Sequence, residues 1–178
     1  MQSSTPHTPR QSPPFPGGLG PADPLGAALT PELASVVAAA RRRAQRDGDP
    51  AIDTAHLLHS LIESDPGARA ALGCRGARVL GYLVQRSIGY GLRWRGAVER
   101  PGSLPRVPLG VWDTAGWSPS AVAAMDRASE CARARGGERV AGADLLMALA
   151  ADPSSRAVEV LRRAGVDLDR LRGCAEAA

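Results

Sequence analysis

Lysine is absent from this chain, and all 22 of its basic side chains are arginine. A phosphate-binding P-loop requires a lysine that reaches the β- and γ-phosphates, and Schiff-base catalysis requires a lysine amine. The chain also lacks the Gly-x-Ser-x-Gly pattern that exposes a nucleophilic serine at a strand-to-helix turn. We therefore expect neither a P-loop nucleotide site nor an enzymatic activity in these 178 residues.

Aromatic residues make up only 3% of the chain, and most of its 44% hydrophobic content is alanine, leucine and valine. Alanine and leucine favour helices, whereas strands are enriched in the aromatic and β-branched residues that are scarce here. The composition therefore predicts an all-α protein, and 178 residues suffice for one domain but are few for two.

Cysteine is also rare. Cys74, Cys131 and Cys174 lie far apart, and the chain has no Cys-x-x-Cys pair that would indicate a zinc or thioredoxin-like site. Residues 1–28 contain no apolar segment typical of a signal peptide, and no apolar run approaches the length of a membrane span. We therefore expect a reduced, cytoplasmic protein without a membrane partner. Because residues 1–28 are rich in proline, glycine and serine, they are predicted to form a disordered tail.

Helical signals begin at Thr30-Pro31. A threonine followed by a proline is typical of an N-cap and a first helical position, and the apolar residues that follow recur at helical spacing. The same signals recur 88 residues later, from Ser118-Pro119, and eight of the 32 aligned pairs are identical over this shift. The matches fall on caps and helix ends as well as on apolar positions, which indicates a genuine internal repeat.

Repeat one is predicted to span residues 29–87 and repeat two residues 117–175, joined by an Arg- and Trp-rich connector at residues 88–116. Each repeat has the pattern of four helices, with a narrow apolar face that would not be stable alone. We therefore predict one all-α domain over residues 29–175, in which eight helices form two four-helix repeats related by a pseudo-twofold axis.

The second predicted helix of each repeat carries a family resemblance. Residues 52–61 read IDTAHLLHSL and residues 140–149 read VAGADLLMAL, while repeat two opens with Trp117-Ser118-Pro119 and ends in AGVDLDRLR. These residues resemble the Clp N-terminal repeat domain found at the front of ClpA- and ClpC-type AAA+ unfoldases. The resemblance implies a docking module for adaptors, for peptide segments of substrates and, in some relatives, for phosphoarginine or cyclic-peptide antibiotics. Because the AAA+ modules are absent from this sequence, it also implies a stand-alone adaptor, decoy or sensor.

Two departures from the family pattern argue against phosphoarginine. The family's second helix carries a glutamate that reads the guanidinium, and this position is Ala55 in repeat one and Ala143 in repeat two. A methyl group cannot form the ion pair that a guanidinium requires. Asp53 also replaces a glycine at the start of that helix, where it adds a negative charge that repels phosphate. We therefore expect the fold to be retained and this ligand to be lost.

The candidate binding surface combines the starts of the first and fifth predicted helices with the tryptophans of the connector. Its residues are Leu29, Thr30, Glu32, Leu33, Trp94, Trp112, Trp117, Ser118 and Val122. We expect apolar side chains of a peptide or protein partner of the Clp system to bind there, with connector arginines supplying charge complementarity. The competing interpretation is structural, because the tryptophans would equally serve to cover the seam between the repeats.

Two histidines are the nearest approach to a metal site. His56 and His59 lie three residues apart on a predicted helix, but no third ligand is evident, so we expect no metal and no cofactor. Residues 75–106 hold seven arginines and a single acid, Glu99. Together with the tryptophans, this charge leaves an alternative function, a nucleic-acid-binding regulator acting through the connector. Our preferred prediction is a monomer that binds peptides or proteins and not nucleic acid.

Overall fold

The computed structural model describes residues 28–87, 97–102 and 115–176. Within these ranges the regular structure consists of eight α-helices and one short 3₁₀ turn. Repeat one contains α1 (Pro31–Asp47), α2 (Thr54–Ser64), α3 (Pro66–Leu72), the 3₁₀ turn (Gly73–Arg75) and α4 (Gly76–Ser87). Repeat two contains α5 (Pro119–Ala134), α6 (Gly142–Ala151), α7 (Arg156–Arg163) and α8 (Leu168–Glu176). The predicted all-α fold with two sets of four helices is confirmed.

The first helix of each repeat begins and ends for the same local reasons. Thr30 Oγ1 and Ser118 Oγ each accept a hydrogen bond from the N–H three residues ahead, at 3.3 and 3.1 Å. The proline after each cap occupies the first turn, where its missing N–H would have had no helical partner. Beyond the other end, Gly48 and Gly136 have φ angles of 71° and 72°, a left-handed conformation that glycine adopts without strain.

Helix α2 lies at the centre of the molecule. Nine of its 11 residues are buried, and it contacts α1, α3 and α4 of its own repeat as well as α5, α6 and α7 of the other. Leu57, Leu58 and Leu61 have no exposed surface, and their counterparts in α6 are 3% exposed or less. The Leu-Leu-x-x-Leu sequence that the two repeats share is therefore core in both, which is why it survives in each copy.

Two parallel backbone bridges interleave the repeats. Leu29, just before α1, pairs with Val140, just before α6, while Ile52, just before α2, pairs with Trp117, just before α5. Each bridge carries two hydrogen bonds, of 2.9 and 3.0 Å in the first pair and 2.7 and 2.8 Å in the second. A shift of 88 residues converts one bridge into the other, so the predicted pseudo-twofold axis passes between them.

The described ranges leave some predictions without a test. The predicted tail lies outside them except for Ala28, whose C=O accepts a hydrogen bond from the Val140 N–H at 2.9 Å. Of the connector predicted at residues 88–116, only residues 97–102 and 115–116 are described. The domain boundaries therefore stay predictions. Among the described residues, none of the helices combines the length and the apolar character needed to cross a membrane.

Candidate functional site

Most of the predicted partner-binding residues at the starts of α1 and α5 point inward. Four of them are 8% exposed or less: Leu29, Leu33, Trp117 and Ser118. Glu32 is exposed, and Thr30 and Val122 are partly buried. Trp94 and Trp112 lie outside the described residues. Because the four buried residues belong to the core or to a helix cap, they offer little surface to a partner in this structure, and the available surface is found farther along α5.

A buried cluster of charged side chains lies between the repeats, at the N-termini of α2 and α7. Its centre is Asp53, which is 1% exposed and caps α2 by accepting the His56 N–H at 2.8 Å. Its second carboxylate oxygen lies 2.6 Å from Arg86 Nη2 of α4 and 2.6 Å from Arg156 Nη1 of α7. Burial alone would raise the pKa of Asp53, but the hydrogen bond from His56 and the positive charge of Arg86 hold it well below its usual range. Asp53 is therefore a carboxylate that joins three helices.

Asp49, Asp53 and His56 place three ligand-type atoms within 4.8 Å of one another, a grouping that could hold a cation. A guanidinium supplies the positive charge there, since Arg86 Nη2 lies 2.7 Å from Asp49 Oδ2 and 2.6 Å from Asp53 Oδ2. His56 Nδ1 accepts the Asp53 N–H at 3.1 Å, and its Nε2 lies 3.3 Å from Asp49 Oδ2. The cluster is therefore built as an ion network that connects α2 with α4.

Glu99, the single acid of the basic segment, enters this cluster from the connector. Its carboxylate accepts hydrogen bonds from the Thr54 N–H at 2.9 Å, from Thr54 Oγ1 at 2.6 Å and from the Arg156 N–H at 2.6 Å. Ser118 Oγ donates a longer one, at 3.4 Å. Thr54 is the first residue of α2 and Arg156 the first residue of α7. One carboxylate thus satisfies donors at two helix N-termini, where the helix dipoles also favour negative charge.

Effects of opposite sign act on the pKa of Glu99. The side chain is 6% exposed, and its burial, followed by the negative charge of Asp53, raises the pKa of Glu99. The hydrogen bonds from Thr54 and Arg156 act in the opposite direction and lower it. The negative charge of Asp53 thus opposes the charge of the Glu99 side chain at the start of α2.

A pocket of about 90 Å³ lies beside this cluster, in the groove between α5, the end of α6 and the connector. Small apolar residues of the two helices form much of its lining: Ala123, Ala124, Ala148 and Ala151. Pro101 and Thr54 also line the pocket. Because Thr54 also donates two hydrogen bonds to Glu99, the pocket and the charged cluster share a wall.

Three polar groups lie among the small residues of the pocket. Ser120 is 3% exposed, and its Oγ has no hydrogen-bond partner among the described residues. Arg127 is partly buried and makes no hydrogen bond or ion pair with any residue that the structure describes. Asp152 Oδ1 accepts the Ser154 N–H at 2.9 Å and so holds the following turn. A buried hydroxyl and a guanidinium beside a small apolar wall are groups that a bound peptide would satisfy.

Comparison with known proteins agrees with this architecture. Residues 114–178 match the family described as the Clp repeat (R) N-terminal domain. The predicted resemblance to the Clp N-terminal domain is confirmed. A comparison with curated protein sequences gives no match.

Two solved N-terminal domains share the fold over most of the chain. The Hsp104 N-terminal domain from Candida albicans superposes with a TM-score of 0.61 at 14% identity, covering 83% of this chain and 88% of that chain. The N-terminal domain of the caseinolytic protease associated chaperone ClpD from Arabidopsis thaliana gives a TM-score of 0.57 at 20% identity, covering 84% and 93%. At these identities the likeness shows the fold.

Within this Clp N-terminal fold, the two alanines that replace the family's glutamate have different surroundings. Ala55 is fully buried in the core, whereas Ala143 is exposed. The sequence assigns no functional role to Arg156 or Ser120, although Ser120 lies in the motif that opens repeat two and Arg156 pairs with Arg69 of repeat one. Glu99 carried a signal, because it is the single acid among seven arginines, but that signal was not connected with the start of α2.

Proposed function

We propose that this chain is a non-enzymatic module that binds peptide segments or proteins of a Clp-type proteolytic system, as a monomer in the cytoplasm. The observation that carries the proposal is the pocket along α5, in which the Ser120 hydroxyl lacks a hydrogen-bond partner among the described residues. Buried polar groups are almost always hydrogen-bonded, so a partnerless hydroxyl at a pocket wall favours a ligand that completes it. The fold supports the same interpretation, because one of the solved structures that share it is the N-terminal domain of a caseinolytic protease associated chaperone.

A partner segment would be recognised through both the apolar and the polar parts of the pocket. A small or medium apolar side chain fits against Ala123 and Ala124, while the peptide backbone accepts a hydrogen bond from Ser120 and an acidic group meets Arg127. Thr30, Glu32 and Val122 are the residues of the predicted surface that keep some exposure near the helix starts. Trp94 and Trp112 remain predicted anchors in the connector. Cyclic-peptide antibiotics are one ligand class that such a surface would accept. The chain would then act as an adaptor, a decoy or a sensor.

Blocking the pocket tests the proposal. We expect Ala123→Trp to weaken the binding of labelled hydrophobic peptides and cyclic peptides by at least about tenfold, because the indole fills the space that a ligand side chain needs. Fluorescence anisotropy titrations provide the measurement, with circular dichroism to confirm the fold. The matched control is Ser35→Trp, which places the same indole at the equivalent, exposed position of α1, outside the pocket.

The outcome of these titrations separates the candidate functions. Folded wild-type protein that binds none of the peptides would sink the proposal, as would equal affinities of the two tryptophan variants. An oligonucleotide titrated in low salt tests the nucleic-acid alternative, which requires binding that weakens steeply as the salt concentration rises.

A further inference from the structure

Residues 97–102 of the connector, here called the strap, contact the molecule mainly through one side chain. Glu99 is buried, whereas Ala97, Val98 and Arg100 are exposed, with Val98 46% accessible. Gly102 adds a close backbone approach, since a Cβ on this residue would collide with the side chain of Ser154. The strap thus buries little apolar surface, and its contacts are mostly polar.

The polar contacts of the strap come from both repeats. The Glu99 carboxylate binds Thr54 of repeat one and the Arg156 N–H and Ser118 Oγ of repeat two, while Arg156 Nη2 donates to the Ala97 C=O at 2.6 Å. These donors converge from three separate parts of the fold on a single carboxylate. Such convergence is typical of a binding site for a carboxylate, in which the donors are held in place by the scaffold.

The charges around Glu99 explain why a carboxylate is accepted there. Without Glu99, the carboxylates of Asp49 and Asp53 are balanced by the guanidinium groups of Arg86 and Arg156. The N-termini of α2 and α7 add partial positive charge, part of which Asp53 already meets as the cap of α2. Asp53 weakens the affinity of this site for a carboxylate, because its negative charge raises the pKa of Glu99 and so disfavours the ionised form.

The pocket along α5 leads to this carboxylate site. Pro101 of the strap and Thr54 both line the pocket, and the Ser120 hydroxyl, which has no partner among the described residues, lies in its wall. A segment that fills the pocket therefore reaches Thr54, one of the residues that hold Glu99. The strap and such a segment would compete for Thr54.

We propose that the strap is an internal ligand, and that the Glu99 carboxylate occupies a site that binds an acidic side chain of a partner peptide once the strap is displaced. The inference rests on the proposed peptide-binding function and names the feature that the pocket selects: a glutamate or aspartate with a small or apolar residue two positions after it, as Pro101 follows Glu99. The strap sets the affinity threshold, because a tethered ligand competes at a high effective concentration.

Removing the internal carboxylate tests the inference directly. Two labelled peptides are compared: one has the strap sequence Ala-Val-Glu-Arg-Pro-Gly, and the other has Gln in place of Glu. Both have blocked termini, so that the Glu side chain is the only acidic group in either peptide. We expect Glu99→Ala to bind the Glu peptide at least about tenfold more tightly than the wild type does, with no such gain for the Gln peptide. Glu138→Ala, which removes an exposed acid elsewhere, is expected to leave both affinities unchanged.

A second measurement covers the case in which Glu99→Ala does not fold. Glu99→Gln keeps the side-chain volume, and hydrogen exchange on the wild-type chain needs no substitution at all. Excess Glu peptide should accelerate amide exchange in residues 97–102, whereas the Gln peptide should not. Equal responses to the two peptides, in either the folded variant or the wild-type exchange, would overturn the inference. If hydrophobic peptides still bind in a pocket-dependent way, that result leaves the proposed function standing.

Discussion

His59 is a buried imidazole on α2, and its counterpart in repeat two is Met147. The side chain is 2% exposed, and its Nε2 lies 3.2 Å from Glu63 Oε1. Burial first, and then the positive charge of Arg43, lower the pKa of His59 to about 4. The residue is therefore neutral in the folded protein over most of the pH range in which an exposed histidine takes up a proton.

This lowered pKa predicts a loss of stability in mild acid. Between the unfolded pKa of about 6.5 and the folded pKa, only the unfolded chain binds a proton at this residue, so the free energy of unfolding falls as the pH falls. We expect the wild type to lose roughly 1–2 kcal/mol between pH 7 and pH 5 through His59. His59→Met, which copies the residue found in repeat two, should remove most of that loss in urea unfolding curves.

Comparing the wild type with His59→Met also shows whether the acid sensitivity arises from another residue. The other titratable side chains are unchanged in His59→Met. If the variant loses as much stability as the wild type between pH 7 and pH 5, the acid sensitivity arises elsewhere.

At the scale of the element, the helix caps of the two repeats are equivalent in sequence but not in surroundings. Thr30 is partly buried, whereas Ser118 has no exposed surface and its Oγ also donates to Glu99 at 3.4 Å. We expect Thr30→Ala to cost about 1 kcal/mol and Ser118→Ala about 2 kcal/mol, because the second change also leaves buried groups without a partner. Thermal or urea unfolding of both variants measures the difference, and equal losses would show that Ser118 acts as a cap alone.

The helix starts could be predicted from the sequence because each is encoded locally. Thr30-Pro31 and Ser118-Pro119 place a cap and a first turn within two residues, and the leucines of α2 recur at helical spacing. The carboxylate site could not be predicted in this way. Glu99 meets Thr54 across 45 residues of chain and Arg156 across 57, and such contacts leave no periodic trace in the sequence.

The candidate binding surface could not be predicted correctly from the local sequence either. The sequence places Leu29 and Leu33 on this surface because they lie at a helix start. Nothing in the local sequence distinguishes an apolar residue that binds a partner from one that fills the core. Leu33 is buried where α1 packs on α2, and Leu29 is buried where its segment pairs with the segment before α6; only the assembled fold defines either contact.

At the scale of the whole molecule, the two bridges make each repeat depend on the other. The segment before α1 pairs with the segment before α6, and the segment before α2 pairs with the segment before α5. Neither repeat satisfies these backbone groups by itself, and α2 is buried partly by helices of repeat two.

This dependence predicts that the repeats fold only together. We expect a chain of residues 28–102 and a chain of residues 115–176 each to show no cooperative unfolding alone, and their equimolar mixture to regain the helical signal and a single transition. Circular dichroism and gel filtration provide the measurements. Ile52→Pro in the first chain is the matched control, because it removes the N–H that binds the Gly116 C=O at 2.8 Å and should prevent recovery.

The paired bridges also suggest how the two-repeat chain arose and why it has two repeats. If the two repeats were identical, the same pairings would join two copies of one short chain around a true twofold axis, an isologous homodimer whose contact surface is its own complement. Fusion of such copies would give a chain like this one, with the strap lying across the former subunit boundary. In the described part of the chain each bridging segment pairs with one segment of the other repeat, so two repeats are enough to complete both pairings.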